Sequence, residues 1–176
     1  MDLFSRPHWP YVGEERRFSH ATTFDARKAA PGALQAMLAL EGYVAKSSRL
    51  EPALLELVKF RASQINGCAY CLDMHSKDAR ARGESEQRLY ALSAWRETPF
   101  FTDRERAALE WTEAVTLIHD GHAPDAVYEE VRKRFTEEEM VNLTMAIVAI
   151  NGWNRLALGF RAVPGEYQPA AHGAEK

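Results

Sequence analysis

From Pro31 onward apolar residues recur every three to four positions, and no stretch of the 176-residue chain alternates as a half-buried strand does. That periodicity restricts the fold to packed helices. Composition agrees: 27 Ala and 16 Leu stand against nine Val and four Ile, so helix formers dominate and β-branched residues are scarce. Three capping boxes, each a Ser or Thr with a Glu three residues on, mark helix starts at Ser48–Glu51, Thr102–Glu105 and Thr136–Glu139. Leu34, Met37, Leu38 and Ala45 supply the apolar stripe of an earlier helix. Cys68 to Arg82 reads as a helix closed by Gly83, and Ser85 to Trp95 as one closed before Pro99. Pro124 takes the first position of a helix over 124–135. The last helix runs from Thr136 to about Phe160, with Leu143, Ile147, Ile150 and Leu158 available for the core. The expected fold is all-α.

A chain of this length is one domain's worth and buries a sizeable core. Residues 1–30 read as an irregular arm, with Pro7 and Pro10 among Phe4, Trp9, Tyr11 and Phe18; it suits packing on a neighbouring subunit or on its own domain. The helical domain follows over residues 31–163, and the Pro- and Gly-bearing stretch 164–176 reads as a flexible tail. Ile65-Asn66-Gly67 recurs as Ile150-Asn151-Gly152, 85 positions later, each time expected to close an apolar helix. A pseudo-twofold pair of helical halves would produce that echo.

Charge narrows the function classes. Lys plus Arg number 22 and Asp plus Glu 25, a net charge of -3 that lacks the basic excess of a nucleic-acid binder. The most apolar run, Met145 to Ile150, is far shorter than the roughly 20 residues that span a bilayer. The first thirty residues carry no apolar leader. Neither a nucleic acid nor a membrane is expected as a partner, and the expected compartment is the cytoplasm. A close cysteine pair there points to redox or metal chemistry, not to a stapled scaffold.

Both cysteines lie in Cys68-Ala69-Tyr70-Cys71, followed by Leu72-Asp73-Met74-His75. At about 100° per residue, Cys68, Cys71 and His75 fall within roughly 60° of one helical face. A nucleophile, a second thiol and a base therefore share about two turns of helix. A c-type haem site needs His directly after the second cysteine, where Leu72 stands. A thioredoxin-like fold needs strands around the motif. Zinc would accept Cys68, Cys71 and His75 but wants a fourth ligand, which His119 or His122 could supply. Two buried cysteines beside a core histidine is the plain alternative.

The segment from Glu56 through Cys68-Ala69-Tyr70-Cys71 to His75 resembles the AhpD-like branch of the carboxymuconolactone decarboxylase family. That branch carries a glutamate twelve residues before a C-x-x-C and a histidine four after it, and Glu56, Cys68, Cys71 and His75 match. The resemblance is close over residues 31–95 and looser through the closing helix. It implies a bundle of about six to eight helices that assembles as a homo-trimer or homo-hexamer. It also implies a thiol-dependent peroxidase that reduces organic hydroperoxides. Glu56 and His75 would form a proton relay to Cys71, the attacking thiol, and Cys68 would resolve the sulfenic acid as a disulfide. Electrons would come from a lipoyl-bearing or thioredoxin-type dithiol partner, with no bound cofactor and no metal. Some members place a second histidine between the cysteines, where this chain has Tyr70, so the relay here is expected to be simpler. The family's decarboxylase lacks the cysteine pair, and that activity is not expected. A non-enzymatic redox-responsive or zinc-binding structural protein using the same cysteines is the alternative.

Two readings of single residues pull against the resemblance. Glu56 alone looks like a solvated residue placed to pair with Lys59 at i,i+3. The positive end of the helix favours Cys68 as the low-pKa thiol, while the resemblance favours Cys71 beside His75. Cys71 is preferred as the attacking thiol because a base one turn away can accept its proton. Trp153, Asn154 and Arg155 suit either a pocket wall, a subunit contact or ordinary packing.

Overall fold

The computed structural model describes residues 25–169. Within them lie eight α-helices and no strand. These are α1 (Ala26–Ala29), α2 (Pro31–Ser47), α3 (Pro52–Asn66), α4 (Ala69–Ala81), α5 (Glu86–Ala91), α6 (Asp103–Thr116), α7 (Asp125–Arg132) and α8 (Glu137–Gly159). A 3-10 helix over Leu92–Glu97 follows α5 directly and is kinked within itself at Ala94. Residues 1–24 of the arm expected over 1–30 and residues 170–176 of the tail expected over 164–176 lie outside the described residues; the end of the arm forms α1, with Asp25 as its N-cap.

Two of the three expected capping boxes form. Thr102 Oγ1 accepts the Glu105 amide at 3.3 Å while Glu105 accepts the Thr102 amide at 2.7 Å. Thr136 and Glu139 do the same at 3.2 and 2.8 Å. The third does not form. Ser48 instead donates to the Val44 carbonyl at 2.6 Å at the end of α2, and Glu51 stands as a cap with no side-chain bond. Pro52 follows it, lacking an N–H and already set at the helical φ, so α3 starts there without a capping side chain. Pro124 likewise caps α7 from outside, one position earlier than expected, and α7 ends at Arg132.

Helix α3 is the axis of the bundle, packed against α4, α6 and α8. Its side chains are buried from Leu54 to Phe60, and the polar Glu56 and Lys59 are buried with them. One apolar cluster joins Leu54, Leu55 and Val58 to Leu143, Ala146 and Ile147 of α8 and Trp111 of α6. A second joins Leu57 and Phe60 to Ala79 of α4, Leu92, Trp95 and Leu109. Leu143, Ile147 and Ile150 are buried as expected, but Leu158 is 48 % exposed. Helix α2 also departs from expectation: Leu38 is 60 % exposed and only Val44 is fully buried. It packs chiefly on α8 and α1, with Leu34 and Met37 half-buried and Leu38 and Ala45 left exposed. Leu143→Ala would empty a fully enclosed position, and a stability loss of about 2–5 kcal/mol is expected in denaturant unfolding.

The internal echo diverges at its glycines. Gly67 closes α3 in the left-handed conformation, whereas Gly152 sits inside α8, which continues to Gly159. The echo survives as a contact: Asn66 donates to Asn151 across the bundle at 2.9 Å. No helix among the described residues is long and apolar enough to cross a membrane.

Candidate active site

Gly67, at φ +67°, is what brings the site together. Its αL conformation lets its amide bond to Gln64 O at 3.3 Å and that of Cys68 to Ser63 O at 3.0 Å, a reversal that an L side chain would strain. Helix α4 then doubles back along α3. Cys68 becomes the N-cap of α4, its sulfur accepting the Cys71 amide at 3.4 Å. Both cysteines are free thiols and 1 % exposed.

Glu56, one turn into α3, faces His75 on the returning helix. The Nδ1 of His75 lies 3.0 Å from Oε2 of Glu56, with both residues buried. An ionised carboxylate only accepts, so Nδ1 donates the hydrogen of this bond, and in the neutral imidazole Nε2 is then the nitrogen with a free lone pair. Burial alone would push Glu56 up. The hydrogen bond from His75 and the charges of His75, Lys59 and Arg82 outweigh it and hold the carboxyl below its usual 4.5. The nearest cation is Arg82 Nε, 3.9 Å from Oε1. Lys59, paired with Glu56 by local spacing, instead bonds to Glu41 of α2. The solvated-face reading of Glu56 is therefore overturned: tertiary packing of α4 buries it.

The two thiols are driven apart. A hydrogen bond from Cys71, opposed by burial and aided by the Cys71 amide, Asn154 and the Tyr70 amide, lowers Cys68 to about 7. The same hydrogen bond, with burial and the neighbouring charge of Cys68, pushes Cys71 well up. The low-pKa thiol is Cys68, as its helix-end position predicts.

Asn154 of α8 completes the pocket from the far side. It is fully buried, donates to Ser63 Oγ at 3.1 Å and accepts from Asn66 at 2.8 Å. With its oxygen so engaged, its amide N–H is the group left for the sulfurs, and it lowers both thiols. Arg155 points outward and bonds to Asn151 of its own helix, and Trp153 is half-buried against α2.

Two residues not singled out from the sequence adjoin the Glu56–His75 pair. Asp78 lies one turn after His75, and ligand-type atoms of Glu56, His75 and Asp78 all fall within 4.8 Å of one another. Tyr167 donates to Asp78 Oδ1 at 2.8 Å. Residues expected in a flexible tail are thus tied to α4: Lys77 also bonds to the carbonyls of Gly165 and Tyr167, and Asp73 accepts the Gly165 amide. Asp78 was legible as an i,i+3 neighbour of His75; Tyr167, 89 positions from Asp78, carried no local signal. The grouping suited to a metal among the described residues is this carboxylate–histidine set, not the sulfurs with His75.

The chain matches known proteins over the same region. Residues 31–114 match the carboxymuconolactone decarboxylase family. It is 47 % identical over 135 residues, 76 % of this chain and 91 % of the other, to the uncharacterised protein YdfG of Bacillus subtilis. A solved structure from Agrobacterium tumefaciens is 49 % identical with a TM-score of 0.80, covering 84 % of this chain and all of that one. It is described as a protein of unknown function and a candidate antioxidant defence protein AhpD. The AhpD-core, peroxidase-related protein of Ralstonia eutropha shares the fold at 20 % identity and TM-score 0.69, covering 80 % of this chain and 74 % of its own. With the fold, the cysteine pair and these relatives in agreement, the chain belongs to the carboxymuconolactone decarboxylase family, with AhpD-like structural relatives.

Proposed function

We propose that the protein is a thiol-dependent peroxidase that reduces organic hydroperoxides through Cys68 and Cys71. The observation that carries this reading is the buried Glu56–His75 hydrogen bond, made from the same helix that carries a free thiol pair whose first member is lowered to about 7. Cys71, relieved of its proton by His75, attacks the O–O bond and becomes a sulfenic acid as the alcohol leaves. Cys68, as its thiolate, displaces hydroxide from that sulfur and closes the disulfide, and a proton turns the hydroxide into water. Two thiols and one hydroperoxide thus become a disulfide, an alcohol and water. A dithiol partner, lipoyl-bearing or of thioredoxin type, returns the two electrons, and a homo-trimer or homo-hexamer in the cytoplasm suits such exchange.

Consumption of cumene hydroperoxide, followed with dihydrolipoamide, thioredoxin and dithiothreitol as reductants, tests the reading. Multiple turnovers with at least one dithiol are the expected result. Stoichiometric zinc in the purified protein, with thiols that react only after chelation and no turnover, would overturn it in favour of a structural metal protein.

A further inference from the structure

The proposed relay has a supply problem. Glu56 and His75 are 6 % and 5 % exposed, and both thiols are 1 % exposed. Where Cys68 begins as a thiolate, one of the two protons that must end on alcohol and water has already left the protein. Closing the disulfide then releases hydroxide into a buried pocket, and a proton has to come in from solvent to make it water. Reduction of the disulfide sends protons the other way.

We propose that Asp78 is the port through which the Glu56–His75 pair exchanges protons with solvent, and that Tyr167 positions it. The inference rests on the peroxidase reading for its biological use but on geometry for its path. Asp78 is only partly buried, unlike the pair it adjoins, and its carboxylate lies within 4.8 Å of the Glu56 carboxylate and the His75 ring nitrogen, a span that one bridging water covers. It follows His75 by three residues on α4, so both project from the same helical face. Its other oxygen-side neighbour is the Tyr167 hydroxyl, 2.8 Å from Oδ1, which fixes one lone-pair site and leaves the rest of the carboxylate to relay.

The surroundings suit a carboxylate held there. From α3 comes Glu56; from α4 come His75, Arg82 and Lys77; from the C-terminal segment comes Tyr167. Arg82, 3.9 Å from Glu56, offsets the repulsion between two carboxylates at this separation. Burial and then Asp78 push the Tyr167 hydroxyl up to about 12, with Glu56 and Tyr70 adding to it. The phenol therefore stays a donor throughout the neutral range and does not compete as a base. Lys77 holds the strap bearing Tyr167 by bonding to two of its carbonyls, at 3.2 and 3.0 Å.

The test compares wild type with Asp78→Asn, Asp78→Glu and Tyr167→Phe. In dilute buffer Asp78→Asn is expected to turn over peroxide about tenfold or more slower, and added formate or imidazole should restore most of the rate by carrying protons to the gap. Asp78→Glu should retain most activity, Tyr167→Phe should lose only a few-fold, and wild type should ignore the added buffer. Exchange of the His75 Nδ1 proton with solvent, read by nitrogen-15 NMR, supplies a measure that needs no peroxide. It should slow in Asp78→Asn and recover with formate. Unchanged exchange in that variant, or a lost rate that no small acid restores, overturns the port even if wild type is a good peroxidase. Slowed and rescued exchange in a protein that consumes no peroxide upholds the port and removes the peroxidase reading.

Discussion

Cys71→Ser is expected to abolish hydroperoxide turnover, by about three orders of magnitude or more, because no other group can form the sulfenic acid at that position. Cys68→Ser should also stop turnover with dithiols, but for a different reason: the sulfenic acid forms and is not resolved. Trapping with a dimedone reagent separates them. After one equivalent of peroxide, adduct should accumulate in Cys68→Ser and be absent from Cys71→Ser. The experiment is sharp because the resting protein polarises the pair the other way, with Cys68 near 7 and Cys71 raised. Iodoacetamide, which needs only a thiolate, should therefore modify Cys68 first in the reduced protein. Peroxide should oxidise Cys71 first, since His75 lies one turn beyond it and can take its proton. Adduct confined to Cys71→Ser would move the attack to Cys68 and make the relay a reprotonation device only.

The second large effect is expected at Glu56. Glu56→Gln keeps the shape and an acceptor for His75 Nδ1 but removes the charge that stabilises a protonated imidazole, and a rate loss of about a hundredfold is expected. Alkylation of Cys68 should hardly change, because none of the groups that lower it is Glu56. Glu56→Ala goes further. It leaves the buried His75 without its partner in a place where water cannot replace it, while the exposed Arg82 is taken up by solvent. A stability loss of about 3–5 kcal/mol follows. The same carboxylate gives the acid limb of stability its sign. The folded protein holds Glu56 below 4.5, so as pH falls the unfolded chain binds the proton first. Its contribution is whole above that value and is lost as pH drops through the lower folded value. A plot of unfolding free energy against pH should show wild type losing more than Glu56→Gln in that acid window, and parallel curves would remove the claim.

Local sequence carried the helices where a single side chain decides the end. Thr102 and Thr136 cap as their spacing predicts, since each box needs only residues three apart. Ser48 did not, because it ends α2 in the helical conformation and α3 starts only at Pro52, with Glu51 as its cap. The α2 stripe and Leu158 failed for another reason: periodicity marks an apolar face but not which neighbour covers it. Glu56, Cys68, Cys71 and His75 were legible because their offsets along two helices are those of a known pattern. Asn154 was visible only as one of three candidates near a helix end, and its place against the sulfurs could not be read from 83 residues beyond Cys71.

By itself, then, the sequence determined an all-α chain with its thiols and base on about two turns of helix, because helix geometry converts short spacings into a shared face. The tertiary structure alone decided that Glu56 is buried against His75, that Asn154 faces the thiols, and that Tyr167 holds Asp78. Those contacts join α3, α4, α8 and the C-terminal segment. No local rule relates residues so far apart; the αL turn at Gly67 and the packing of α8 on α3 bring them within a hydrogen bond's reach.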